Sequence, residues 1–160
     1  MRVNLLLVET DHLFRSNLSR HLAEEGFAIF TAERPTDVKR LIKKKKIDVA
    51  LLDLSGLRLE GVKLLKQIKR LNPLTEVITL STGENMALAM DGMKLGAFDD
   101  LLIPVNIRDL VERVRSAKTQ KLANEKKFLP KGYQKVMMAA TFAEAGETET
   151  AKALMKKKDK

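Results

Sequence analysis

Five apolar runs of strand length, each followed by a segment with helical spacing, set what this chain can fold into. They lie at Val3 to Val8, Phe27 to Thr31, Asp48 to Leu52, Glu76 to Leu80 and Phe98 to Ile103, several of them rich in Val and Ile. LLLV and VALLD are unbroken rather than alternating, the pattern of strands buried on both faces. The first intervening segment, about Asp11 to Glu25, puts Phe14, Leu18 and Leu22 on one face and stops at Gly26. The second follows Pro35 with Val38, Leu41 and Ile42 apolar; the third, about Glu60 to Leu71, repeats Leu64, Leu65, Ile68 and Leu71 before Asn72-Pro73. The fourth, about Asn85 to Leu95, carries Met86, Met90 and Met93 and ends at Gly96. A fifth starts near Asn106, a good N-cap, with Leu110, Val111 and Val114. This alternation predicts an α/β doubly wound fold: parallel strands, right-handed crossovers and helices on both faces. Sites in such folds form outside the carboxyl ends of the strands.

The rest of the chain bounds the function. With no cysteine, neither disulfides nor thiolate metal sites exist, and a reduced, cytoplasmic setting is expected. The apolar N-terminal run is too short for a membrane span or a signal-peptide core, so no membrane is expected. Thirty Lys and Arg against twenty-one Asp and Glu give a net charge of +9, yet the excess is scattered. Its dense runs, Lys43 to Lys46 and Lys156 to Lys158, fall where helices should end, and the few aromatics do not interleave with them, so nucleic acid is an unlikely partner. His12, at the start of the first helix, reads as a rim or solvent residue, and His21 as a surface residue. The domain, residues 1–121, is followed by a helical extension, 122–160. There, after Pro130-Lys131-Gly132, helix spacing flanks Ala145-Gly146-Glu147, with Ala139, Ala143 and Ala151 positioned for close packing. The extension resembles one hairpin of a tetratricopeptide-type repeat, a unit that cannot bury its own apolar face. It carries no enzyme motif.

Two strand ends carry acid, Val8-Glu9-Thr10-Asp11 and Asp53, and a third carries the hydroxyls of Ser81-Thr82-Gly83. Carboxylates from two strand ends can converge on Mg²⁺, which takes one or two carboxylates with water and phosphate oxygens. A carboxylate beside such an ion can accept a phosphoryl group while a hydroxyl binds a phosphoryl oxygen. The bland alternative for Asp53 is an acid capping local backbone donors.

In order, LLLVETD, DVALLDLSGLRLEG, VITLSTG and GAFDDLLIP resemble the receiver domain of two-component response regulators over about residues 1 to 120. The resemblance implies a flavodoxin-like (βα)5 sheet of order 2-1-3-4-5 and phosphoryl transfer from a histidine kinase or phosphotransfer protein to Asp53. It implies Ser81 as the switch hydroxyl and Gly61 as the glycine closing the loop after the acceptor. It further implies a cis peptide before Pro104 and Mg²⁺ held by Glu9, Asp53 and the backbone carbonyl of Ser55. Output would pass through an unknown partner protein, and the fourth-helix, fifth-strand and fifth-helix face is one on which receivers dimerise.

The departures are specific. Thr10 stands where a second acid usually ligates the ion, so Mg²⁺ binding is expected to be weakened. Asp11 is a poor substitute because helix periodicity turns it away, and Thr10 could instead cap the first helix. Ile103 stands in place of the family lysine, with only Lys94 or Arg58 as candidate replacements, and Asp100 in place of the switch aromatic. Because burying an unpaired carboxylate is costly, Asp100 is expected to point outward. Two readings result: a phosphorylatable receiver acting through protein contacts, or a phosphorylation-independent pseudo-receiver whose C-terminal hairpin binds a partner.

Overall fold

The computed structural model describes residues 2–128 and 131–156. Pro130, Lys157 and Lys158 therefore lie outside the described residues. The elements run β1 (Asn4–Val8), α1 (His12–Glu24), β2 (Ala28–Ala32), α2 (Pro35–Lys44), β3 (Val49–Asp53), α3 (Leu54–Leu57), α4 (Leu59–Leu71) and β4 (Glu76–Ser81), then a 3-10 turn (Gly83–Asn85), α5 (Met86–Lys94), β5 (Asp99–Leu102), α6 (Ile107–Phe128), α7 (Lys131–Glu144) and α8 (Thr148–Lys156). The five strands form one parallel sheet in the order β2-β1-β3-β4-β5.

Strand alternation divides the apolar runs between two cores. Leu5, Leu7, Val49, Leu51, Ile78 and Leu80 point to one face, where they meet Leu18 and Leu22 of α1 and Leu110, Val111 and Val114 of α6. Leu6, Val8, Ala50, Leu52 and Val77 point to the other, against Val38 and Ile42 of α2 and Leu64, Leu65 and Ile68 of α4. Every residue of β3 and β4 is buried. Three central strands sandwiched this way hold their carboxyl ends in fixed register, which is what a site at that edge needs.

At the opposite edge, Asp48 anchors α6. Its Oδ1 accepts from both Lys118 and Lys121 at 2.7 Å, and its Oδ2 from the Asn4 N–H at 2.9 Å. Lys121 also donates to the Ile47 carbonyl at 3.2 Å. Burial alone would raise the Asp48 carboxyl, but the two lysine hydrogen bonds and that from Asn4 outweigh it, and its pKa lies below the ordinary value of 3.8. Helix α6 runs past the boundary at 121 read from the sequence. A four-residue helix, α3, also fills what reads as a loop.

The chain divides into two compact units after Leu122. In the second, α7 and α8 flank a turn in which Gly146 adopts φ +82, open to glycine without strain. Ala139 and Ala151 are buried in it, whereas Ala143 is exposed, so only two of the three small residues serve close packing. Among the described residues no helix is long and apolar enough to cross a membrane.

Candidate functional site

The register of β1 and β3 pairs Val8 with Leu52. One step further along both strands brings Glu9 and Asp53 together at the carboxyl edge, 1 % and 4 % exposed. Glu9 Oε1 accepts the Asp11 N–H at 2.8 Å, while its Oε2 is buried with no donor. Burial, and after it a hydrogen bond to Asp53 that Glu9 makes when it carries a proton, push its pKa from 4.5 up to about 8. The negative Asp53 adds to this, and the Asp11 and Thr10 N–H groups oppose it. Two carboxylates forced together out of water are the arrangement that a divalent cation relieves. The buried oxygen without a donor fits such an ion. Among the described residues, no group of three or more acids or histidines gathers here or elsewhere.

Asp53 divides its labour. Its Oδ1 accepts from the Ser55 N–H at 2.8 Å and the Ser55 hydroxyl at 2.6 Å, which caps α3. Capping engages Oδ1 only, and the hydrogen bond that a protonated Glu9 makes goes to the same carboxylate. Thr10 is exposed and does not cap α1: that position belongs to Asp11, whose Oδ1 accepts the Phe14 N–H at 2.8 Å. Asp11 lies before the helix in extended backbone, so helix periodicity does not set its direction; capping occupies its Oδ1. His12 and His21 are exposed on α1, His21 3.6 Å from Glu24.

Three further residues shape the site and were not singled out by sequence. Gly56 lies against Thr10, since a Cβ there would fall 2.5 Å from the Thr10 hydroxyl; glycine is what lets α3 approach the end of β1. Its signal was its place three residues after a strand-end acid. Arg15 is buried on α1, donates to the Glu9 carbonyl at 2.6 Å and pairs with Glu33. Thr79 faces Asp100. Gly61 packs as a close-approach glycine: a Cβ there would lie 2.6 Å from a Leu54 methyl.

Asp100 does not point outward. It is half-buried, with Oδ1 accepting from Thr79 and Oδ2 from Ser81, both at 2.6 Å. The cost of burying a carboxylate is met by two hydroxyl donors, and the premise of an unpaired group fails. Ser81, fully buried, is thus already engaged. Ile103 packs on the α1–α6 core, its N–H donating to the Ser81 carbonyl at 2.7 Å, and the Ile103–Pro104 peptide is cis. Neither candidate cation replaces the absent lysine. Arg58 is exposed and makes no hydrogen bond to Asp53; Lys94 ends α5, which returns the chain to the opposite edge of the sheet. The Met86, Met90 and Met93 side chains are surface rather than core, 44 %, 56 % and 44 % exposed.

Comparison with known proteins agrees with this geometry. The family model of the response regulator receiver domain matches residues 5–115. The DNA-binding transcriptional regulator NtrC of Escherichia coli is 33 % identical over 111 residues, 69 % of this chain and 24 % of that protein. An NtrX-like response regulator of Rickettsia felis is 28 % identical over 118 residues, 72 % of this chain and 25 % of its own length. The chain thus spans about a quarter of these curated relatives. The crystal structure of a receiver domain protein from Clostridium thermocellum superposes with a TM-score of 0.71 at 27 % identity, covering 76 % of this chain and 98 % of that one. NtrX from Brucella abortus shares the fold, with a TM-score of 0.74 at 22 % identity over 86 % of this chain and 30 % of that one.

Proposed function

The chain belongs to the response regulator receiver domain family, and from that premise we propose that Asp53 accepts a phosphoryl group from a phosphohistidine of a kinase or phosphotransfer protein. The observation that carries this reading is the buried Glu9–Asp53 pair at the carboxyl edge of the sheet, in which Ser55 engages one Asp53 oxygen and the buried Glu9 Oε2 has no donor among the described residues. An Asp53 carboxylate oxygen forms the new P–O bond as the P–N bond breaks, and the imidazole leaves with the electron pair and takes up a proton. Ser55 holds the other Asp53 oxygen and so fixes which one attacks. Glu9, Asp53 and the Ser55 carbonyl, with Thr10 contributing at most a hydroxyl, would hold Mg²⁺, which when bound would supply positive charge to stabilise the transferring group. With Ile103 where a lysine would neutralise the acyl phosphate, transfer is slow.

The output is a protein contact, and the cell compartment is the cytoplasm. The exposed methionines of α5 and the exposed Leu102 at the end of β5 offer adaptable apolar surface for a partner or a second copy, and the α7–α8 pair, in its likeness to a tetratricopeptide hairpin, offers another. Incubation with Mg²⁺ and acetyl phosphate should add one phosphoryl group by intact mass, absent in Asp53→Ala. A phosphorylation-independent pseudo-receiver is the second reading, favoured by the engagement of Ser81 with Asp100. Absence of an adduct with both acetyl phosphate and kinase would select it.

A further inference from the structure

Thr79 and Ser81 stand two residues apart on one face of β4, and Thr79 lies opposite Asp100 in the β4–β5 pair. Alternation along β5 sends the neighbouring Asp99 to the other face, where it pairs with Arg113 at 3.0 Å. Asp100 is thus committed to the face of the two hydroxyls, and each of its oxygens receives one at 2.6 Å. That separation is typical of a charge-assisted O–H···O⁻ bond, about twice as strong as a neutral one. Among the described residues no cation pairs with Asp100. A serine hydroxyl has a single proton to donate. While Asp100 receives it, no phosphoryl oxygen can.

We propose that Asp100 is a positioning residue that holds the Ser81 hydroxyl away from phosphoryl transfer, so that phosphorylation must first exchange the Ser81–Asp100 hydrogen bond for one to the phosphoryl group. The inference rests on Asp53 as the acceptor. With acetyl phosphate, an Asp53 oxygen forms the P–O bond as the P–O bond to acetate breaks, acetate leaving with the electron pair. The Ser81 proton stays on its oxygen and is only re-aimed. Because both competing acceptors are anionic, the exchange yields little for Ser81 and strips a half-buried carboxylate of a donor. The resting arrangement is therefore favoured.

The test follows labelling of the full chain by acetyl phosphate and Mg²⁺, with intact mass read over time, for wild type, Asp100→Ala, Asp100→Asn, Ser81→Ala and the Ser81→Ala/Asp100→Ala double variant. Asp100→Ala should label about tenfold to a hundredfold faster than wild type, the range expected for releasing a hydrogen bond to a charged group. That gain should shrink to under about twofold when Ser81 is alanine, because the two residues act as one unit. Asp100→Asn, nearly isosteric but neutral, should fall between, and it carries the test if circular dichroism shows Asp100→Ala unfolded. Equal rates in labelled wild type and both Asp100 variants overturn the positioning role and leave Asp53 as acceptor. A gain undiminished in the Ser81→Ala background overturns it too, since through-space repulsion by Asp100 then suffices. No adduct on any variant, with a control receiver labelled, removes the Asp53 reading and this inference with it.

Discussion

Glu9 holds a proton at neutral pH because burial and the Asp53 carboxyl both disfavour its charge, which raises its pKa to about 8. A cation bound between the two carboxylates must displace that proton. Mg²⁺ affinity should therefore rise about tenfold per pH unit below about 8 and level off above it, with up to one proton released per ion. Calorimetric titration in buffers of different ionisation heat reads both quantities; in Glu9→Gln the pH dependence should flatten and the affinity drop. Gly56 is the second residue on which the site turns. A methyl there meets the Thr10 hydroxyl at 2.5 Å, so Gly56→Ala should cost about 1–3 kcal/mol, the usual penalty of overpacking. The cost should largely vanish in a Thr10→Ala background, where the nearest remaining atoms stand 3.7 Å away. Urea unfolding of the two single variants and the double variant measures this, and additive losses would place the strain elsewhere.

Helix α6 shows what the sequence could and could not reveal about elements. Its apolar positions, Leu110, Val111 and Val114, were legible from helical spacing, as were the five strands, because both-face burial writes itself as unbroken apolar runs. Helical spacing gave no sign of Lys118 and Lys121, which are 8 % and 2 % exposed. Their long apolar stems pack while the ammonium groups meet Asp48, 70 and 73 positions away in the chain for Lys118 and Lys121 respectively. No local pattern carries a pairing that distant. The same limit explains Asp100. Its orientation depends on Thr79 and Ser81 across the β4–β5 register, and only the pairing of strands shows that the three side chains share a face. Glu9, Asp53 and Ser81 were legible because each ends a strand; Gly56 was not, because its role is a contact with Thr10. Asp48→Ala should lower stability by about 3–5 kcal/mol, the range for breaking a buried ion pair from one side. Lys118→Met should cost less, since Lys121 keeps the carboxylate. Urea midpoints at neutral pH compare them; equal losses would mean that the cluster depends on both lysines together.

Across the whole molecule, Glu9 and Asp48 lie at opposite edges of one sheet and bias its stability in opposite directions. The folded pKa of Asp48 is depressed, so its contribution is present above 3.8 and is lost as pH falls through the lower folded value. Glu9 is raised: between about 4.5 and about 8 the folded chain keeps a proton that the unfolded chain has released, so stability falls as pH climbs through that window. Its contribution is complete below 4.5 and gone above about 8. Both are fully present only in the narrow interval between 3.8 and 4.5. The net charge of +9 grows as carboxylates protonate, and self-repulsion steepens the acid side beyond what Asp48 alone supplies. The alkaline side is therefore the cleaner reporter. Urea midpoints from about pH 5 to about pH 9 should decline in wild type and stay nearly level in Glu9→Gln. Added Mg²⁺ should raise the wild-type midpoint most at the alkaline end, where it replaces a proton already lost, and act little on Glu9→Gln. A level wild-type profile without the ion would mean that Glu9 is ionised at neutral pH, and the two carboxylates would then need a counter-charge from elsewhere in the fold.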